Sequence, residues 1–218
     1  MTAFAELAAE PAPSLDRLAL ALAGEFREVD EAGALARLDA LGEEVAAAIA
    51  AGDGTPAAQA RACAEVLGGA HGFEGDREEY DHPDNSMLDV VLERRRGLPI
   101  LLSVVYLEAA RRAEVPLAGV GLPGHFVVGH FGGDRPLLLD PFDRGFVFDG
   151  DVDEDDVEPW GPFDIAMRML NNLVGAFWRR GDLSAAVHAA GMRLALPIDE
   201  AQHEALEAEL RALRKRLR

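Results

Sequence analysis

The sequence predicts an α+β fold in which one strongly apolar helix packs on a small antiparallel sheet, with further helices on either side. Three observations predict it. Apolar residues in the first eighty positions recur at helical spacing, as at Leu35, Leu38, Leu41 and Val45. Residues 99–112, behind Pro99, leave almost no polar face. After Pro116 the pattern changes to short extended runs divided by Pro, Gly and Asp clusters.

In chain order, Ser14 precedes a helix carrying Leu15, Leu18 and Leu22, and the Leu35 to Val45 stripe forms a second. Thr55 is placed as the N-cap of a third. Pro56 follows at the first helical position, where its missing N–H costs nothing, and Gly68-Gly69 ends the run. Residues 72–85 are polar and turn-rich and mark a join. A short helix is expected over 86–96 with Gly97 stopping it, and Pro99 opens the buried helix through Arg112. Extended runs follow at 117–122, 125–131, 137–140 and 145–148. Phe163, Met167, Leu170, Val174 and Phe177 return to helical spacing, and two more helices start near Asp182 and Asp199. The expected organisation is a helical part over 1–80, a core over 81–160 and a helical cap over 161–218. A chain of 218 residues, 49% hydrophobic, is long enough for these to share one core.

The formal net charge of −18 repels phosphate backbones, so nucleic acid is not an expected partner. The first apolar stretch carries Glu6 and Glu10 and no basic residue before Arg17, unlike a secretory signal, and a cytoplasmic location is expected. The apolar run 98–110 is interrupted by Ser103, Tyr106 and Glu108 and falls short of the roughly 20 residues of a spanning helix, so no membrane association is expected. Cys63, the single cysteine, excludes an intramolecular disulfide and a multi-cysteine zinc site.

The string Asn85-Ser86, Val91-Leu92, Arg94-Arg95-Arg96-Gly97-Leu98-Pro99-Ile100, then Leu122-Pro123-Gly124-His125-Phe126 and Leu139-Asp140-Pro141-Phe142, resembles the SirB-type transglutaminase-like family. The segment 168–173 resembles the stretch that follows the core in that family, and the likeness covers roughly residues 72–196. In the wider transglutaminase and papain-like superfamily a cysteine begins the buried helix, and a histidine and an aspartate sit on strands behind it. The resemblance implies that His125 and Asp140 hold those strand positions. Aligned on Val115-Pro116, it puts Pro99 where the cysteine would stand, and proline has no nucleophilic atom.

The residues support the pair independently. If the turn centres on Gly133-Asp134, His125 lies opposite Phe142, and Asp140, two residues away on the same face, is within diagonal reach. An aspartate accepting from one ring nitrogen fixes the tautomer and raises the basicity of the other. Alone, a strand histidine reads as half-buried with a satisfied hydrogen bond; the family order favours a surviving dyad. Three substitutes for the nucleophile stand open. Ser103, one turn into the helix, lacks the exposed N-terminal position and reads as a packed serine. Cys63 lies between alanines in a helix expected outside the core, as a buried structural thiol. Water or the ligand could attack, with His125 as base. Asn85, Ser86, Arg96, Pro99 and Phe142 are expected to line the groove.

Other features carry less. Asp149, Asp151, Asp153 and Asp155 alternate as calcium-loop ligands do, but the sixth position is Glu154 rather than glycine and the twelfth is Trp160 rather than glutamate. Arg94-Arg95-Arg96 complements a helix C-terminus, and one of the three could hold a carboxylate in the groove. His71, His82 and His130 form no metal pattern, and His82 with Asp81 and Asp84 could line the site mouth. With neither a Gly-rich phosphate loop nor a Gly-x-Ser-x-Gly elbow, no cofactor and no metal are expected.

Three functions compete. A transglutaminase-like pseudoenzyme would bind a peptide, an amide-containing small molecule or a protein partner in the old groove. A divergent amide hydrolase or acyltransferase would use His125 and Asp140 with another nucleophile. The C-terminal helices could instead form a protein-docking module.

Overall fold

A computed structural model describes residues 2–148 and 157–217. The alternating aspartates at 149, 151, 153 and 155 lie outside the described residues. The fold is α+β, with a five-stranded antiparallel sheet in the order β6-β5-β4-β3-β7, formed by β3 (Leu117–Leu122), β4 (His125–His130), β5 (Leu137–Asp140), β6 (Phe146–Val147) and β7 (Pro159–Trp160). Three of these strands begin where the extended runs predict. β7 is unexpected: its two residues pair with Gly119 and Val120 at the sheet edge, where Pro159 needs to donate nothing inward.

The helix α6 (Pro99–Arg112) lies against β3 and β4. Every residue from Pro99 to Ala110 is buried, as the missing polar face demands. Val128 and Leu139, paired across β4 and β5, join Phe126 in the main core beneath α6. Val120, Val127 and Leu138 form a smaller cluster with Val157. The sheet is therefore buried on two faces, and its strands read as apolar runs more than as alternations.

N-terminal to the sheet come α1 (Phe4–Ala8), α2 (Leu15–Gly24), α3 (Glu31–Ala50) and α4 (Pro56–Cys63). Thr55 caps α4 by accepting from the Ala58 N–H, with Pro56 at the first position. The glycine pair does not end that run. The chain continues in a π-helical stretch, Ala64–Ala70, and a Cβ on Gly68 would stand 2.0 Å from the Arg144 carbonyl oxygen. Close backbone packing, not termination, is what requires that glycine.

Between the helical part and α6, β1 (Glu74–Gly75) pairs in parallel with β2 (Arg96–Gly97), and α5 spans Leu88–Arg94. The helix is shorter than the predicted 86–96 because Arg95 turns left-handed, at φ 59°, and releases Arg96 and Gly97 into the strand pair. After the sheet come α7 (Pro162–Arg179), α8 (Leu183–Met192) and α9 (Glu200–Arg216), with Asp182 and Asp199 as side-chain N-caps. Residues from Phe4 to Leu210 share one core cluster. No helix among the described residues is long and apolar enough to cross a membrane.

Candidate functional site

His125 opens β4 and Asp140 closes β5. The observed register, Val128 with Leu139 and His130 with Leu137, is the one a turn at Gly133-Asp134 predicts. It brings the two side chains together diagonally: His125 Nε2–H donates to Asp140 Oδ2 at 2.8 Å. The aspartate is held in turn. Its Oδ1 accepts from the Phe142 N–H at 2.9 Å and its carbonyl from the Gly145 N–H at 2.7 Å, through the short 3-10 turn Pro141–Asp143. The His125 side chain is 29% exposed and that of Asp140 13%, so the imidazole is the more open of the two. Nδ1 of His125 has no hydrogen-bond partner among the described residues.

Phe142 builds the wall beside this pair. Its ring stands edge-on to His125, with centroids 6.2 Å apart, and to Tyr80 at 6.0 Å, and the Arg77 guanidinium lies 4.8 Å over it. Gly75 presses on the same ring so closely that a Cβ there would fall 2.3 Å from it. Because Gly75 pairs with Gly97, the segment leading into Pro99 is joined through Gly75 and Phe142 to His125. Sequence reasoning missed Gly75, Arg77 and Tyr80. The signal available was Tyr80, the one tyrosine in an otherwise polar turn-rich stretch.

Two buried polar residues hold this loop. Asp76 accepts from the Glu78 and Glu79 N–H groups and from Arg94. Burial alone would push its carboxyl up, but these hydrogen bonds, with help from Asn85, hold it below the ordinary range. Asn85 donates to the Glu79 carbonyl at 2.7 Å, and its own carbonyl accepts from the Leu98 N–H. It thereby ties the Tyr80 loop to the start of α6.

The remaining predicted positions divide. Pro99 stands at the first helical position of α6, buried and without an N–H. Asn85 and Ser86 are fully buried, so neither presents its side chain at the surface beside His125, where both were expected to line a groove. Ser103 is fully buried and its Oγ has no hydrogen-bond partner among the described residues, which leaves no base beside it. Arg96 is ion-paired to Glu74. His82 is spent as an N-cap, with Nδ1 accepting from the Asp84 N–H. Cys63 does not sit outside the core as expected: it is fully buried within it, and burial pushes its thiol up to about 12. Tyr106, against which it lies electrostatically, is raised for the same reason. A thiol in that state carries no useful thiolate at neutral pH. Among the described residues no group of three or more His, Cys, Asp or Glu could hold a metal ion.

A buried helix on an antiparallel sheet, with a histidine and an aspartate hydrogen-bonded across adjacent strands, is the arrangement of a transglutaminase-like core. The family model of the transglutaminase-like superfamily matches residues 32–171, and the chain belongs to that superfamily. A UPF0162 protein of Pseudomonas aeruginosa is 32% identical over 216 residues, covering 91% of this chain and 78% of that protein. A UPF0162 protein of Xylella fastidiosa is 44% identical over 88 residues, which span 40% of this chain but only 31% of that protein's length. The F-box only protein 21 of Homo sapiens is 41% identical over 75 residues, 34% of this chain and 12% of that protein. No solved structure matches the chain.

Proposed function

We propose that this chain is a SirB-type member of the superfamily that has lost thiol chemistry and binds a peptide or an amide-containing molecule in the groove over His125. The observation that carries this reading is the His125–Asp140 hydrogen bond at 2.8 Å, kept at an open surface while the one thiol of the chain is sealed in the core. A planar amide suits such a groove. The exposed Tyr80 ring offers it an aromatic face, Phe142 walls the site beside the imidazole, and the free Nδ1 of His125 accepts from its N–H.

A second reading is supported by the same nitrogen. With Nε2–H held by Asp140, Nδ1 is the basic atom, and a water placed against it would make the groove a hydrolase without a covalent intermediate. Histidine-selective NMR during titration with glutamine- and asparagine-containing peptides tests the binding claim. Saturable shifts of the His125 imidazole, weakened by Phe142→Ala, are expected. Peptides that leave His125 unmoved, or that act equally on the Phe142 variant, would remove it.

A further inference from the structure

The three consecutive arginines that close α5 have separate fates. Arg94 pairs with Asp76 and Arg96 with Glu74, both on the segment that carries β1. Arg95, between them, has no carboxylate partner among the described residues. Its backbone is left-handed, φ 59°, and its Nη1 donates to the His71 carbonyl at 3.1 Å. It lines a pocket of about 370 Å³ between α3 and α5, within the range that encloses small organic ligands, about 300 to 1,000 Å³. None of the pocket's residues belongs to the His125 groove.

The charges around this pocket sort into satisfied and unsatisfied. Glu44 is committed to His71, whose Nε2 lies 2.8 Å from its carboxylate. Arg37, Arg95 and Glu93 also line it, and none has an ion pair among the described residues. Two guanidiniums without a carboxylate partner among the described residues, Arg37 and Arg95, thus line one pocket together. Its floor is apolar, formed by Leu41, Phe73 and Leu92. A ligand that answers every open group carries a carboxylate for the two arginine forks, a cation for Glu93 and an apolar body for the floor. A plain anion would leave Glu93 facing it unpaired, and a phosphate dianion more so.

We propose that this pocket binds an α-amino acid with an apolar side chain. The carboxylate lies between Arg37 and Arg95, the ammonium meets Glu93, and the side chain rests on Leu41, Phe73 and Leu92. The assignment does not depend on what the His125 groove does.

Calorimetric titration of the full chain with L-leucine and L-phenylalanine tests it, alongside leucinamide, which lacks the carboxylate, and 4-methylpentanoate, which lacks the ammonium. The amino acids should bind saturably and each analogue about tenfold or more weaker, since a lost charge-assisted hydrogen bond costs at least that factor. Arg37→Gln with Arg95→Asn should abolish binding; asparagine tolerates the left-handed conformation at 95, so the fold is kept. Failure of both amino acids to bind would overturn the proposal, as would equal binding by leucinamide or by the double variant. Equal binding by 4-methylpentanoate would overturn the amino-acid assignment as well.

Discussion

Replacing Arg112 with methionine should cost about 3 kcal/mol, and the cost should grow with pH. Arg112 sits at the end of α6 between two buried carboxylates, with Nη2 at 2.7 Å from Asp16 Oδ2 and Nη1 at 2.7 Å from Glu108 Oε2. Each carboxylate side chain is only 3% exposed. Breaking a buried pair by removing one partner costs about 3 to 5 kcal/mol; Arg111, which also reaches both, keeps the loss near the lower end. For a chain of this size that is a fall in Tm of roughly 6 to 12 °C.

The pH dependence follows from the two carboxyls. Burial alone would raise Asp16, but the hydrogen bond from Arg112 and lesser ones hold it below its ordinary 3.8. Its contribution is present above that value and disappears as pH falls through the depressed folded one. Glu108 is raised above its ordinary 4.5 by burial and by Asp16, so its contribution is present below 4.5 and disappears as pH rises through the folded value. Without Arg112 both carboxyls lose a cation that favours their charged forms, so burial and their mutual repulsion weigh more, and ionising them as pH rises costs the folded variant more than it costs wild type. Urea unfolding at about pH 5 and about pH 8 should therefore show a wider gap between wild type and variant at the higher pH. A loss under about 1 kcal/mol, or a gap independent of pH, would refute the network's role.

Leu102→Ala, at a fully buried position of α6, should cost about 2 to 5 kcal/mol by denaturant unfolding, well beyond a surface substitution. Gly75→Ala should push the Phe142 ring off its seat, destabilise by about 1 to 3 kcal/mol and shift the His125 imidazole resonances; an unmoved His125 spectrum would break the link drawn through Phe142. Cys63 should resist alkylation in the native state and react only on unfolding, as a buried thiol raised to about 12 requires.

Much of the core was legible because its signals are local. The bounds of β3 and β5 and the start of α6 follow from turn residues and Pro99, and the His125–Asp140 bond follows from the register of one hairpin. What escaped depends on distant partners. The parallel pair of β1 and β2 joins Glu74 to Arg96, and it ends α5 two residues early through the left-handed Arg95. The two-residue β7 exists only because Gly119 and Val120 offer it an edge. Gly68 looked like a terminator because its contact, the Arg144 backbone, is 76 positions away in sequence. Pairings such as His71 with Glu44, or the seating of Phe142 on Gly75, have no periodicity to betray them. Cys63 was misplaced for a related reason: alanines flank it whether α4 faces solvent or core, and only the packing of that helix decides.

The central claim, that the groove works through His125 and Asp140 without a thiol, is tested most directly by assaying wild type, Cys63→Ser and His125→Ala side by side. The assay is a panel of glutamine-containing peptides, amides and esters, read for both binding and turnover. The account predicts that Cys63→Ser matches wild type throughout, whereas His125→Ala loses whatever signal the panel yields. Activity abolished by Cys63→Ser and retained by His125→Ala would contradict it and place the chemistry on the buried thiol.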